Sequence, residues 1–155
     1  MVQFSFHSPL GDLTLSEEGG RIVSLDWGRS PMSTETALLR AGKQMLDNYF
    51  DGLNPEFTLP LDLAGTAFQK RVWQVMTKIP YGDTMTYGEV AEAIGSHPRA
   101  VGTACGLNPV PIIIPCHRVM GKGGKLTGYS GGNGVESKKF LLDLEKTTLN
   151  GSVDN

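Results

Sequence analysis

The segment that most constrains this chain is Asn108-Pro109-Val110-Pro111-Ile112-Ile113-Ile114-Pro115-Cys116-His117-Arg118-Val119. Its run of isoleucines favours a short, buried, extended stretch. The prolines at 109, 111 and 115 remove backbone donors, so the stretch cannot join a regular ladder on both sides. It is a rigid apolar wall that the rest of the fold must cover, and it delivers Cys116, His117 and Arg118 to one place. Polar residues after such a run either cap its end in solvent or form a site. One reading is a cysteine nucleophile with histidine as proton acceptor, the thiolate being the reactive species. The other is an inert buried cysteine beside a surface histidine. In extended chain successive side chains point to opposite faces. Contact between His117 and the thiol therefore requires a turn at Pro115 or a bridging water.

The first sixty residues read as a small α+β unit. Val2–Phe6 and Leu13–Ser16 alternate apolar and polar residues around Ser8-Pro9-Leu10-Gly11-Asp12, which predicts a hairpin. Glu17-Glu18-Gly19-Gly20 turns the chain into a third strand over Ile22–Trp27. Apolar residues at helical spacing from Thr34 to Phe50 predict a helix, and Phe57–Leu61 a further strand. This half carries no catalytic constellation and reads as a scaffold.

A new regime starts at Gly65-Thr66. Thr66 is a candidate cap for a helix carrying Phe68, Val72, Trp73, Val75 and Met76. Two short helices follow, Thr86–Ile94 and Arg99–Gly106, around Gly95-Ser96-His97-Pro98, as in a helix-turn-helix. The second is built of small residues, which suits close approach to another backbone, DNA or protein. Cys105 within it reads as a packing cysteine. Gly121-Lys122-Gly123-Gly124-Lys125 and the glycines at 128, 131 and 132 predict a mobile loop near the site. A last helix, Gly134–Lys146, presents Val135, Phe140, Leu141 and Leu144 to the core, with Glu145 beside that face as a surface carboxylate or a site residue.

Composition removes several classes. No stretch approaches the roughly 20 apolar residues that cross a bilayer, and no basic region precedes an apolar run at the N-terminus, so neither membrane nor signal peptide is expected. Two cysteines are too few for a disulfide framework, which points to a reducing, cytoplasmic setting. Without CxxC or HxxxH spacing no zinc site is expected. Net charge is −2 overall, but residues 1–65 carry 4 Lys/Arg against 9 Asp/Glu and residues 66–145 carry 9 against 6. An anionic partner therefore belongs with the second half.

The string PCHRV at 115–119, with Asn108-Pro109 before it and GYSGG at 128–132 after it, resembles the active-site signature of the O6-alkylguanine-DNA alkyltransferases. SPLGDLTL near the start, GTAFQKRVWQVMTKIPYGDTMTYGEVA at 65–91 and RAVGTACGLNP at 99–109 extend the likeness over roughly residues 4–146. The small form, without the ligands of a structural zinc, resembles the bacterial single-chain enzymes. The resemblance implies an α+β protein. Residues 1–64 would form a ribonuclease H-like α/β domain, 65–147 a mainly helical DNA-binding and transfer domain with a helix-turn-helix, and 148–155 a flexible tail.

It further implies irreversible transfer of an alkyl group from O6-alkylguanine, and O4-alkylthymine, in double-stranded DNA. The chain would act once, as a monomer, with no cofactor or metal. Cys116 would be the acceptor, His117 would deprotonate it through a water, and Glu145 would orient His117. Tyr87 and Arg99 would extrude the nucleotide and fill the vacated stack, with Ala100 and Thr103 on the same DNA-facing helix. Tyr87 would also donate to the leaving base, and Asn108 would tie that helix to the active-site turn. Pro111, Val119, Tyr129 and Ser130 would line the pocket, and Arg118 would be structural. Proteins that share the scaffold but only bind alkylated bases replace the cysteine, which is present here. A helix-turn-helix regulator would need base-reading side chains that residues 100–107 lack, and a cysteine hydrolase would need an acyl-binding cleft.

Overall fold

A computed structural model describes residues 1–153 except 128, 130 and 131, with side chains described through residue 149. The chain divides into two compact units, Met1–Ala64 and Gly65–Asn155.

In the first unit, β1 (Val2–Phe6), β2 (Leu13–Glu18) and β3 (Arg21–Trp27) form an antiparallel sheet in the order β1-β2-β3. Gly19 and Gly20 make the two-residue turn between β2 and β3. Helix α1 (Ala37–Phe50) starts one turn later than its periodicity suggests, because Thr36 caps it by accepting from Leu39 N. Phe6, Leu13, Leu15, Ile22 and Leu25 of the sheet form the core with Leu39, Leu46 and Tyr49 of α1. Each fully buried aliphatic side chain contributes roughly 1.5–3 kcal/mol. The opposite face of β2 is also covered. Thr14 and Ser16 are buried, and Thr14 Oγ1 donates to Gly28 O while Ser30 N donates to Ser5 Oγ. The expected strand at Phe57–Leu61 shrinks to one parallel bridge, Ile22 with Leu61. Pro60 has no N–H to extend it.

In the second unit, α2 (Ala67–Thr77), α3 (Tyr87–Ile94) and α4 (Pro98–Gly106) pack on one another. Thr66 with Gln69 and Thr86 with Glu89 form capping boxes that start α2 and α3 where the sequence places them. Gly95, at φ 68°, ends α3 in a left-handed conformation that glycine adopts without steric cost, and Pro98 opens α4. The α3–α4 pair is the expected helix-turn-helix. Val72, Met76, Val90, Val101 and Ala104 are buried between the three helices, and Trp73 Nε1 donates to Ala104 O at 2.9 Å. A two-residue strand β4 (Met85–Thr86) pairs in parallel with β5 (Val119–Met120), Met85 opposite Val119.

The last helix, α5 (Val135–Val153), departs from the sequence reading twice. Residues 148–153, expected as tail, extend it. Its buried side is Ser137, Lys138, Leu141 and Glu145, whereas Val135 and Phe140, expected in the core, are 43% and 39% exposed. No described helix is long and apolar enough to cross a membrane.

Candidate active site

The isoleucine run is buried but not extended. Ile114 N donates to Val110 O at 2.9 Å, closing a turn in which Ile112 takes φ 74°. A β-branched residue rarely occupies that region, and the conformation costs on the order of 1–3 kcal/mol. Asn108 holds the turn from α4's end, its Oδ1 accepting from Val110 N at 3.0 Å and its Nδ2 donating to Ile114 O at 2.8 Å. Pro115, at φ −79° and ψ 67°, is the centre of an inverse γ-turn closed by Cys116 N on Ile114 O at 2.8 Å. A single 3₁₀ turn, Cys116–Arg118, follows. This pair of turns replaces the extended geometry that would have sent Cys116 and His117 to opposite faces.

Cys116 is buried, and burial pushes its thiol up. The Asn108 hydrogen bond and the charge of Lys138 oppose that shift. His117 has no exposed surface, and its Nε2 lies 2.6 Å from Glu145 Oε2. Glu145 also accepts from Arg118 Nε at 2.8 Å, Arg118 Nη2 at 3.1 Å and Gly82 N at 2.9 Å. Burial alone would raise the Glu145 carboxyl. Its His117 and Arg118 partners win, holding it down at about 2. Burial keeps His117 neutral, below its ordinary range. The ionised carboxylate can only accept, so Nε2 carries the imidazole proton and Nδ1 is left as the acceptor. A neutral imidazole oriented by a carboxylate next to a thiol is the arrangement of a general base.

The other expected site residues fall around this centre. Tyr87 follows Thr86, which the β4–β5 pairing sets opposite Met120, and its hydroxyl donates to Thr127 O at 3.2 Å. Burial pushes the Tyr87 hydroxyl up to about 12. Tyr129 is buried and also shifted upward, by burial and then by the Cys116 thiol. Pro111 and Val119 are buried in the turn and the strand after it. Ser130 lies outside the described residues. Arg99 and Thr103 are exposed on α4 and, with Tyr87, Pro98, Gly102 and Thr127, line an open groove of about 500 Å³. Ala100, on the same helix, is half-buried and does not line it. Cys105 is buried with Sγ 3.3 Å from Met76 Sδ, a packing contact. The glycine loop is tied in by Gly121 N on Lys125 O at 2.8 Å, so these groups are not all free donors.

Two residues gain weight that the sequence did not give them. Arg118 forks onto Glu145 and donates to Ile79 O at 2.7 Å, with its guanidinium 5.5 Å from the Tyr81 ring centroid. Lys138, one of two adjacent lysines, is fully buried and donates to the carbonyls of Val119 and Thr127. The one sequence signal for Lys138 is its spacing of seven from Glu145, which places both on one helix face.

Residues 67–147 match the family described as 6-O-methylguanine DNA methyltransferase, DNA binding domain, and residues 1–63 match its ribonuclease-like domain. A Bacillus subtilis protein named methylated-DNA–protein-cysteine methyltransferase, constitutive, is 44% identical over 152 residues, covering 90% of this chain and 92% of its own. A Mycobacterium tuberculosis protein named methylated-DNA–protein-cysteine methyltransferase is 44% identical over 149 residues, covering 90% and 89%. A crystal structure of Mycobacterium tuberculosis OGT in complex with DNA superposes with a TM-score of 0.85 at 43% identity, covering 96% of this chain and 94% of that one. An O6-methylguanine DNA methyltransferase from Methanococcus jannaschii superposes at 0.70 with 29% identity, covering 92% and 93%. With both halves matched and a cysteine, a neutral histidine and an ionised carboxylate assembled in the second, the chain belongs to the 6-O-methylguanine DNA methyltransferase family.

Proposed function

We propose that this protein repairs double-stranded DNA by moving an alkyl group from O6 of guanine, or O4 of thymine, onto Cys116, once per molecule. The observation that carries the reading is the buried His117–Glu145 pair, 2.6 Å apart, adjoining Cys116. His117 Nδ1 takes the thiol proton through a water, and Glu145 supports the imidazolium that forms. Sγ bonds to the alkyl carbon as the carbon–O6 bond breaks. Tyr87 donates a proton to the base, so guanine leaves neutral rather than as an anion. Return of the His117 proton restores the hydroxyl. A thioether is a poor leaving group, so the product stays.

The reaction needs a base out of the stack, at a cost of a few kcal/mol. Arg99 enters the vacated space, and Ala100 and Thr103 on α4 lie against the minor groove. Asn108 fixes the turn, Pro111, Val119, Tyr129 and Ser130 line the pocket, and the Cys116 and Val119 carbonyls read the guanine amino group. The protein acts as a cytoplasmic monomer, and nothing in the steps above calls for a metal or cofactor. Incubation with a duplex containing O6-methylguanine should add one methyl per chain, located on Cys116 by peptide mass. Repeated turnover under excess substrate, or a methyl on Cys105, would overturn the reading.

A further inference from the structure

Lys138 is fully buried on α5 and donates to Val119 O and, at 2.8 Å, to Thr127 O. Its ammonium lies 5.7 Å from the Tyr87 ring centroid. A buried ammonium is costly unless both its donors and its charge are met. Two carbonyls and an aromatic face meet the donors. Its charge has no carboxylate partner among the described residues, since Glu145 is engaged by His117 and Arg118. The groups that share its field are the two thiols and the His117 imidazole, which the Lys138 charge helps to keep neutral. Burial pushes the Lys138 ammonium down from its ordinary range, the Cys116 and Cys105 charges oppose that shift, and its charge in turn favours both thiolates.

We infer that Lys138 is a positioning residue for the transfer: it fixes the Val119 carbonyl and the Thr127 end of the glycine loop around Tyr87, and it sets its ammonium within reach of the Cys116 thiol's field. The inference rests on Cys116 being the acceptor. The other titratable groups around Cys116 cannot do the same work at neutral pH. Tyr87 on α3 and Cys105 on α4 are both pushed up to about 12, Tyr129 is also raised, and His117 is held neutral. Lys138 is the cation whose charge reaches Cys116. Its hold on Val119 also acts through the β4–β5 pairing, and Thr127 O receives both Lys138 and Tyr87.

The test uses the full chain with Lys138→Met and Lys138→Arg. Reaction of Cys116 with iodoacetamide is followed from neutral to alkaline pH by peptide mass, with no DNA or guanine present. Lys138→Met should move the midpoint of that profile upward, slowing the neutral-pH reaction about tenfold per unit moved. Lys138→Arg should restore the midpoint. An unmoved midpoint in a folded Lys138→Met protein, or an upward shift in Lys138→Arg equal to that of Lys138→Met, overturns the inference. A second measurement spares Lys138. Its ammonium, followed by NMR in Cys116→Ser, should lose its proton at lower pH than in the unsubstituted chain, and identical titrations overturn the inference. If O6-methylguanine duplex leaves Cys116 unmodified, the repair reading fails, while the iodoacetamide profile still decides what Lys138 does.

Discussion

Lys138 and Glu145 stand two turns apart on the buried side of α5 and between them hold three consecutive residues of the site. Lys138 takes the Val119 carbonyl, and Glu145 takes the side chains of His117 and Arg118. One helix therefore grips the whole segment that follows Cys116. A shift of α5 would move base and pocket wall together.

Cys116→Ser should abolish transfer while leaving duplex binding largely intact. The hydroxyl is a far weaker nucleophile at neutral pH, whereas the proposed binding surface, α4 and the cations around it, is left untouched. Mass spectrometry and a gel-shift titration on the same preparation check both halves. Loss of binding in parallel would mean that Cys116 holds the turn rather than reacting.

Acid should weaken the second unit over two pH ranges. Glu145, held at about 2, contributes stability that is complete above its ordinary value of 4.5 and is lost as pH falls toward 2. His117 is buried neutral, so its folded value lies below the ordinary 6.5. The unfolded chain then binds the proton more readily, and stability begins to fall below pH 6.5. Chemical denaturation at stepped pH should show both slopes, and Glu145→Gln should remove the lower one. A stability flat from pH 7 to 4 would contradict the neutral imidazole.

Arg99→Ala should slow repair in duplex far more than reaction with free O6-benzylguanine, which needs no extrusion. Arg99 is exposed at the start of a helix whose neighbouring side chains are small, beside the groove that Tyr87 also lines. Parallel rate measurements on the two substrates decide it. Equal losses would place Arg99 in chemistry or folding.

Duplex binding should weaken with salt as a few phosphate contacts require. Of the exposed cations Lys70, Arg71, Arg99, Lys122 and Lys125, expected near the helix-turn-helix, Arg71 is engaged with Ile94 O at 2.9 Å, which leaves the other four for phosphate. At roughly −0.9 per contact, three or four contacts give a log–log slope of about −3 to −4. Charge reversal at Lys122 and Lys125 should lower that slope while sparing free-base transfer. A slope near zero would move the footprint elsewhere.

The amino-acid sequence by itself determined the elements whose causes are local. Thr66 with Gln69 and Thr86 with Glu89 start their helices where their side chains satisfy nearby backbone groups, and Pro98 opens α4 through its fixed φ and its lack of an N–H to satisfy. The change of regime at Gly65-Thr66 is legible in the Thr66 cap and in the helical spacing that follows it. Tertiary structure decided the rest, where the cause is distant in sequence. The isoleucine run looked extended because β-branched residues favour that conformation. The Asn108 side chain and the covering fold impose a turn, and Ile112 carries the strain. Hydrophobic spacing in α5 predicts that its apolar residues face inward. Its buried side carries Leu141 as expected but also Lys138 and Glu145, because the carbonyls, the imidazole, the guanidinium and the Gly82 N–H that satisfy them arrive from residues 82–127. Hydrophobic periodicity cannot report a charged inner face. Such a face is stable only once its partners are assembled, and that assembly is also what makes Cys116 more than a buried thiol.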